Sequence, residues 1–162
     1  MILFASGRTD IPAFYSKWFI NRVKAGFVDV RNPFNQNLVS RINFSDVDLI
    51  MFCSKNPLPM IDKLKMLKVP VLFHVTITPY SKDVEPNIPD KRLIIEGVKK
   101  LSLVLGIDNV VLRYDPIFLS DKYNVDYHIR AFDKLCKNLN GYVNKIIVAF
   151  MDEYKNVRIN KD

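Results

Sequence analysis

The chain has 162 residues, 49% hydrophobic and 25% charged, an ordinary globular balance with enough length to bury one sizeable core. No apolar run approaches the roughly 18 to 20 residues of a membrane span, and Met1-Ile2-Leu3-Phe4-Ala5 is short and lacks a basic leader, so neither a span nor a secretory signal is expected and the protein reads as cytoplasmic. The 24 basic against 17 acidic residues give a net charge of +7, which favours an anionic small molecule or nucleotide-like partner. Nucleic acid is only weakly supported, because sixteen of the basic residues are scattered lysines with no run of five.

Two cysteines, Cys53 and Cys136, lie far apart in the chain, which excludes a disulfide framework and any cysteine-built zinc or iron–sulfur site made by this chain alone. Both read as buried free thiols.

Met1 to Ala5 reads as a strand running into Ser6-Gly7-Arg8-Thr9-Asp10. A helix then starts near Pro12, carries Tyr15, Trp18, Phe19 and Val23, and is closed by Gly26. Phe27 to Arg31 and Leu38 to Phe44 flank the turn residues Asn32-Pro33-Phe34-Asn35 and predict a hairpin. Val47 to Cys53 is a near-continuous apolar strand, followed by Ser54-Lys55-Asn56-Pro57 and a helix through Met60, Ile61, Leu64 and Leu67. Val69 to Ile77 predicts a strand and Thr78 to Ile88 a loop. The rhythm of Ile94, Val98, Leu101 and Leu105 predicts a helix ended by Gly106. Asn109 to Leu112, finishing in Arg113-Tyr114-Asp115-Pro116, is the next strand. Val125 to Leu139 is a helix, and Lys145 to Met151 the last strand.

Strands apolar on both faces, separated by amphipathic helices, imply an α/β fold with a parallel sheet. The expected architecture is a single domain over 1–162, a partial TIM-type (β/α) barrel of about six mostly parallel strands with a hairpin insertion. No Gly-rich loop follows the first strand to suggest a dinucleotide fold. With no covering helix after the last strand, Ile147 and Ala149 are expected to be partly exposed, self-association through that strand is expected, and the chain reads as the N-terminal part of a longer protein.

Polar clusters stand at the C-terminal ends of these strands, where parallel α/β folds build their sites. Asp10, Lys55, Asp115 and Asp152 are the candidate catalytic residues; Arg8, Arg31, Asn32, Asn56, His74, Thr76 and Arg113 are the candidate substrate-binding residues. The plain structural readings are that Asp10 caps a helix, Arg113 and Asp115 form an ion pair and Lys55 is an exposed loop lysine. His74 shares a strand face with Thr76 and is either a general acid or base or a satisfied core histidine; His128 reads as a surface or capping residue. No zinc pattern is present and no metal is assigned, although Asp10, Asp115 and Asp152 are a carboxylate set that suits magnesium.

The stretches Ser6-Gly7-Arg8-Thr9-Asp10-Ile11-Pro12-Ala13-Phe14-Tyr15, Val30-Arg31-Asn32-Pro33-Phe34-Asn35, Lys55-Asn56-Pro57 and Arg113-Tyr114-Asp115-Pro116-Ile117 together resemble the bacterial family catalogued as domain of unknown function 1848. The resemblance implies longer relatives with a C-terminal cysteine cluster similar to the iron–sulfur motif of radical S-adenosylmethionine enzymes. On that basis an iron–sulfur cluster and S-adenosylmethionine are expected of full-length relatives. This chain ends before such a part, carries Cys53 where an aromatic is usual, and is expected to be a scaffold and substrate-binding portion that is not competent alone. The alternatives from the residues themselves are a non-catalytic phosphate- or nucleotide-binding module and a metal-assisted hydrolase using the aspartates.

Overall fold

A computed structural model describes residues 1–152. Its strands are β1 (Ile2–Phe4), β2 (Phe27–Arg31), β3 (Val39–Asn43), β4 (Leu49–Ser54), β5 (Val71–Thr76), β6 (Val110–Ile117) and β7 (Ile146–Phe150). Its α-helices are α1 (Ile11–Phe14), α2 (Ser16–Ala25), α3 (Leu58–Ile61), α4 (Lys91–Leu105) and α5 (Val125–Leu139). Five strands form a parallel sheet in the order β1-β4-β5-β6-β7, and β2 and β3 form a separate antiparallel hairpin. The fold is α/β, and no described helix is long and apolar enough to cross a membrane.

Chain order is kept across the parallel sheet, with the hairpin stepping out between β1 and β4. Right-handed crossovers that always advance in one direction place every helix on the same face. The burial pattern agrees. Ile50 and Phe52 of β4, Phe73 and Val75 of β5, and Val110 and Leu112 of β6 share that face by register, and they form one core with Phe19, Met60, Ile94, Val98, Leu101, Leu135 and Leu139 from the helices. At its centre the Phe52 ring lies 5.2 Å from Phe19, edge-on, and 5.4 Å from Phe73. Alternate residues of these strands and of β1, Phe4, Met51, Cys53, Leu72, His74, Thr76, Val111 and Arg113, occupy the opposite, helix-free face, and none of them belongs to that core.

Two expected helices are broken. Tyr15 leaves helical geometry (φ −126°, ψ 20°) and splits the first into α1 and α2. The turn redirects α2 so that Phe19 and Ile20 are buried, while Tyr15 and Trp18 stay 48% and 45% exposed. The segment after β4 holds only the single-turn α3 and a 3₁₀ turn, Leu64–Met66. Pro57, Pro59 and Pro70 crowd that stretch and leave little room for a continuous helix. Gly26 ends α2 in the left-handed region (φ 83°), as its residue type permits. Gly97 serves approach instead: a Cβ there would lie 2.8 Å from the Leu58 side chain where α4 crosses α3.

Candidate functional site

The parallel arrangement brings the C-terminal ends of β1, β4, β5, β6 and β7 to one edge of the sheet. The end of β2 is not hydrogen-bonded into that sheet, because β2 pairs with β3 in the hairpin. Arg31 and Asn32 shape the hairpin turn. The Asn32 side-chain oxygen accepts from Phe34 N at 2.8 Å and Asn35 N at 3.2 Å, and the Arg31 guanidinium donates to the Gln36 carbonyl at 3.0 Å. Arg8 reaches across to donate to the Arg31 carbonyl at 2.6 Å, tying the loop after β1 to the hairpin.

Asp10 works as a clamp between two loops. Its Oδ1 accepts from Ala13 N at 3.0 Å and so caps α1, while its Oδ2 accepts from Ser54 Oγ at 2.9 Å and Lys55 N at 3.1 Å. Asn56 is a turn residue, its side-chain oxygen accepting from Leu58 N at 3.3 Å. Asp152 lies exposed just beyond β7.

On the helix-free face, Cys53 stands in register with His74, and Thr76 with Arg113. Arg113 Nε donates to both Asp115 carboxylate oxygens at 3.1 Å, and its Nη2 donates to Oδ2, so the pair is an ion pair as the plain reading had it. His74 is 7% exposed and, among the described residues, its buried Nδ1 has no hydrogen-bond partner, which is neither a satisfied core histidine nor a solvated one. Burial, reinforced by the Arg113 and Lys145 cations, pushes its pKa below the ordinary 6.5, so the ring is neutral at neutral pH. Burial pushes the Cys53 thiol upward from 9.0 against the opposing pull of Arg113 and a hydrogen bond with Thr76. Cys53 and Cys136 are both half-buried rather than fully buried.

Lys55 is not a solvated loop lysine. Its Nζ donates to Oε1 of Glu85, a residue only 8% exposed. Lys91 Nζ donates to Glu85 Oε2 at 2.7 Å, and Thr78 Oγ1 donates to Oε1 at 2.7 Å. Burial pushes the Glu85 pKa up, but the hydrogen bonds from Lys55, Lys91 and Thr78 outweigh it and hold the carboxyl below its ordinary 4.5. Sequence reasoning missed Glu85, since a glutamate in a long polar loop carries no sign that it will be buried.

His128, expected at the surface, is 6% exposed inside an aromatic cluster. Its Nε2 faces the Phe118 carbonyl at 3.1 Å and therefore carries the proton; its Nδ1 then accepts from Tyr114 Oη at 3.0 Å. Tyr80 stacks on Phe118 at 4.3 Å, and Tyr123 and Tyr127 anchor the loop after β5 through Ser81 N and the Pro79 carbonyl. This network positions two site loops and uses its histidine structurally.

One cavity lies away from the polar edge. It is an open apolar groove of about 550 Å³ between α5 and β7, bordered by Ile117, Val125, Ile129, Phe132 and Phe150. Along β7, Ile147 is half-buried and Ala149 exposed; Val148 and Phe150 are 50% and 70% exposed.

Among the described residues no three His, Cys, Asp or Glu side chains are gathered as a metal site. Cys53 lies on the helix-free face, whereas Cys136 borders the groove on the helix side. Two thiols on opposite sides of a sheet do not fit an iron–sulfur cluster.

A family model described as "Domain of unknown function (DUF1848)" matches residues 2–162. No curated protein and no solved structure matches.

Proposed function

We propose that this chain, which belongs to the DUF1848 family, is the substrate-binding portion of a partial (β/α) barrel enzyme. In this reading the helix-free face of the sheet is the barrel interior and holds a nucleotide-like anion. The observation that carries it is the row of His74, Thr76 and Arg113 at the C-terminal edge of that face. The unreversed strand order supports the barrel, since an open doubly wound sheet would bind at a reversal of order that the described strands lack.

The face is divided by chemistry. Phe4 and Met51, partners in register, and Leu72 form an apolar floor, with Phe4 50% exposed. Above it Arg113, held in place by Asp115, presents its remaining N–H groups, and neutral His74 and half-buried Thr76 stand beside it. A flat apolar body over Phe4 with an anionic end at Arg113 is the ligand such a surface selects. Asp10 and Asp115 orient the loops and the guanidinium. The family resemblance, which implies longer relatives with a cysteine cluster similar to that of radical S-adenosylmethionine enzymes, supports a radical reaction for those relatives; the two cysteines of this chain do not fit the cluster, so no chemical step is assigned to its residues.

Adenosine monophosphate is the probe that tests this. It should raise the melting temperature saturably, beyond the effect of inorganic phosphate alone, and Arg113→Ala should remove that excess. Equal excess protection of wild type and Arg113→Ala would overturn the proposal.

A further inference from the structure

Glu85, only 8% exposed, is held between two lysines. Two ammonium groups from different elements, Lys55 after β4 and Lys91 at the start of α4, converge with the Thr78 hydroxyl on its carboxylate. Two cations and a hydroxyl are the donor set that a phosphate oxyanion selects. One carboxylate leaves that set a net positive charge, whereas a phosphate monoester, carrying about −1.5 to −2 at neutral pH, would cancel it.

The space around the carboxylate points the same way. A cavity of only about 10 Å³ remains among Lys55, Thr76, Thr78, Glu85 and Lys91, room for one water at most. On the outer side an open cavity of about 370 Å³, bordered by Tyr80, Ser81, Lys82 and Asp90, meets Glu85 and Lys91. A phosphate group can enter through that cavity and the glutamate side chain can leave into it. The Lys55 and Lys91 side chains are 37% and 31% exposed. The backbone on either side is pinned by other bonds, Tyr123 Oη to Asp83 at 2.7 Å and Lys82 Nζ to the Pro86 carbonyl at 3.0 Å. The exchange is therefore a side-chain movement and not an opening of the loop.

We infer that Glu85 is an internal surrogate ligand, occupying a phosphate seat built by Lys55, Lys91 and Thr78 from which a phosphate-bearing small molecule displaces it. Arg113 is not among the seat's partners, so the inference stands apart from the function proposed for the helix-free face.

Calorimetric titration of the full chain with inorganic phosphate tests it. Glu85→Gln should bind about tenfold or more tighter than wild type, and adding Lys91→Ala should cancel the gain. A parallel titration with phenyl phosphate distinguishes a free ion from an ester by which binds tighter. Equal or weaker phosphate binding by Glu85→Gln would overturn the inference. Should that variant not fold, carboxyl-¹³C spectra of the wild type serve instead. A saturable phosphate-dependent shift of the Glu85 signal is expected, and a signal unmoved up to high phosphate contradicts it.

Discussion

Thr76 and Arg113 are neighbours in register on β5 and β6, and just beyond them Ile77 N donates to the Arg113 carbonyl at 2.9 Å. The ladder thus continues to the edge of the sheet. The Arg113 side chain leaves from rigid backbone, not from a loop, and Asp115 fixes its guanidinium in one plane. A cation held this way loses little conformational entropy on meeting an anion, which is why it anchors the proposed site.

The two faces of the sheet should respond differently to truncation. Phe73, wholly buried on the helix side, should cost about 3–5 kcal/mol as Phe73→Ala. Phe4, half-exposed on the helix-free face, should cost under about 1 kcal/mol as Phe4→Ala. Urea denaturation of both variants measures this, and comparable losses would contradict the assignment of faces.

Acid should destabilise the protein in two stages. His74 is depressed below 6.5 by burial and by Arg113 and Lys145, with Asp115 opposing; between its folded and unfolded pKa the unfolded chain binds more protons, so stability present above pH 6.5 is lost as pH falls. Glu85 is held below 4.5, so its contribution persists above that pH and is lost as pH falls through its lower folded value. His74→Gln should remove the first stage and keep the second. Denaturation midpoints across pH should show it, and an unchanged first stage in His74→Gln would assign that loss elsewhere.

Asp10→Ala should cost about 1–2 kcal/mol by removing the α1 cap and the clamp on Ser54 and Lys55. Adenosine monophosphate binding should survive, since Asp10 orients loops and does not touch the ligand. Thermal melts with and without the nucleotide read both effects.

Tyr114→Phe leaves His128 Nδ1 buried without its donor and should cost about 1–3 kcal/mol. Because Tyr114 points to the helix side, the same variant should leave nucleotide affinity unchanged in a binding titration.

What the sequence disclosed follows from periodicity and turn chemistry. The alternation of apolar strands with helix-period segments gives the α/β class and each parallel strand, and Asn32-Pro33 gives the hairpin. Strand-end position brought out Asp10, Lys55, Thr76, Arg113 and Asp115. The hairpin's separation from the main sheet depends on long-range pairing that no local pattern records. Glu85 and His128 were illegible for a related reason: each is buried by partners far along the chain, Lys55 for the one and Tyr114 for the other. The break at Tyr15 was hidden because Tyr15, Phe19 and Val23 keep helical spacing along α2, while the turn falls at Tyr15 itself, where α1 ends.

The most direct test of the substrate-binding face is a two-dimensional ¹H–¹⁵N titration of the full chain with adenosine monophosphate. Saturable shifts are predicted at the amides of Cys53, His74, Thr76 and Arg113, together with the Phe4 and Met51 floor, and should vanish in Arg113→Ala. Shifts confined to the Glu85 seat or to scattered surface lysines, with the helix-free face unmoved, would contradict the account.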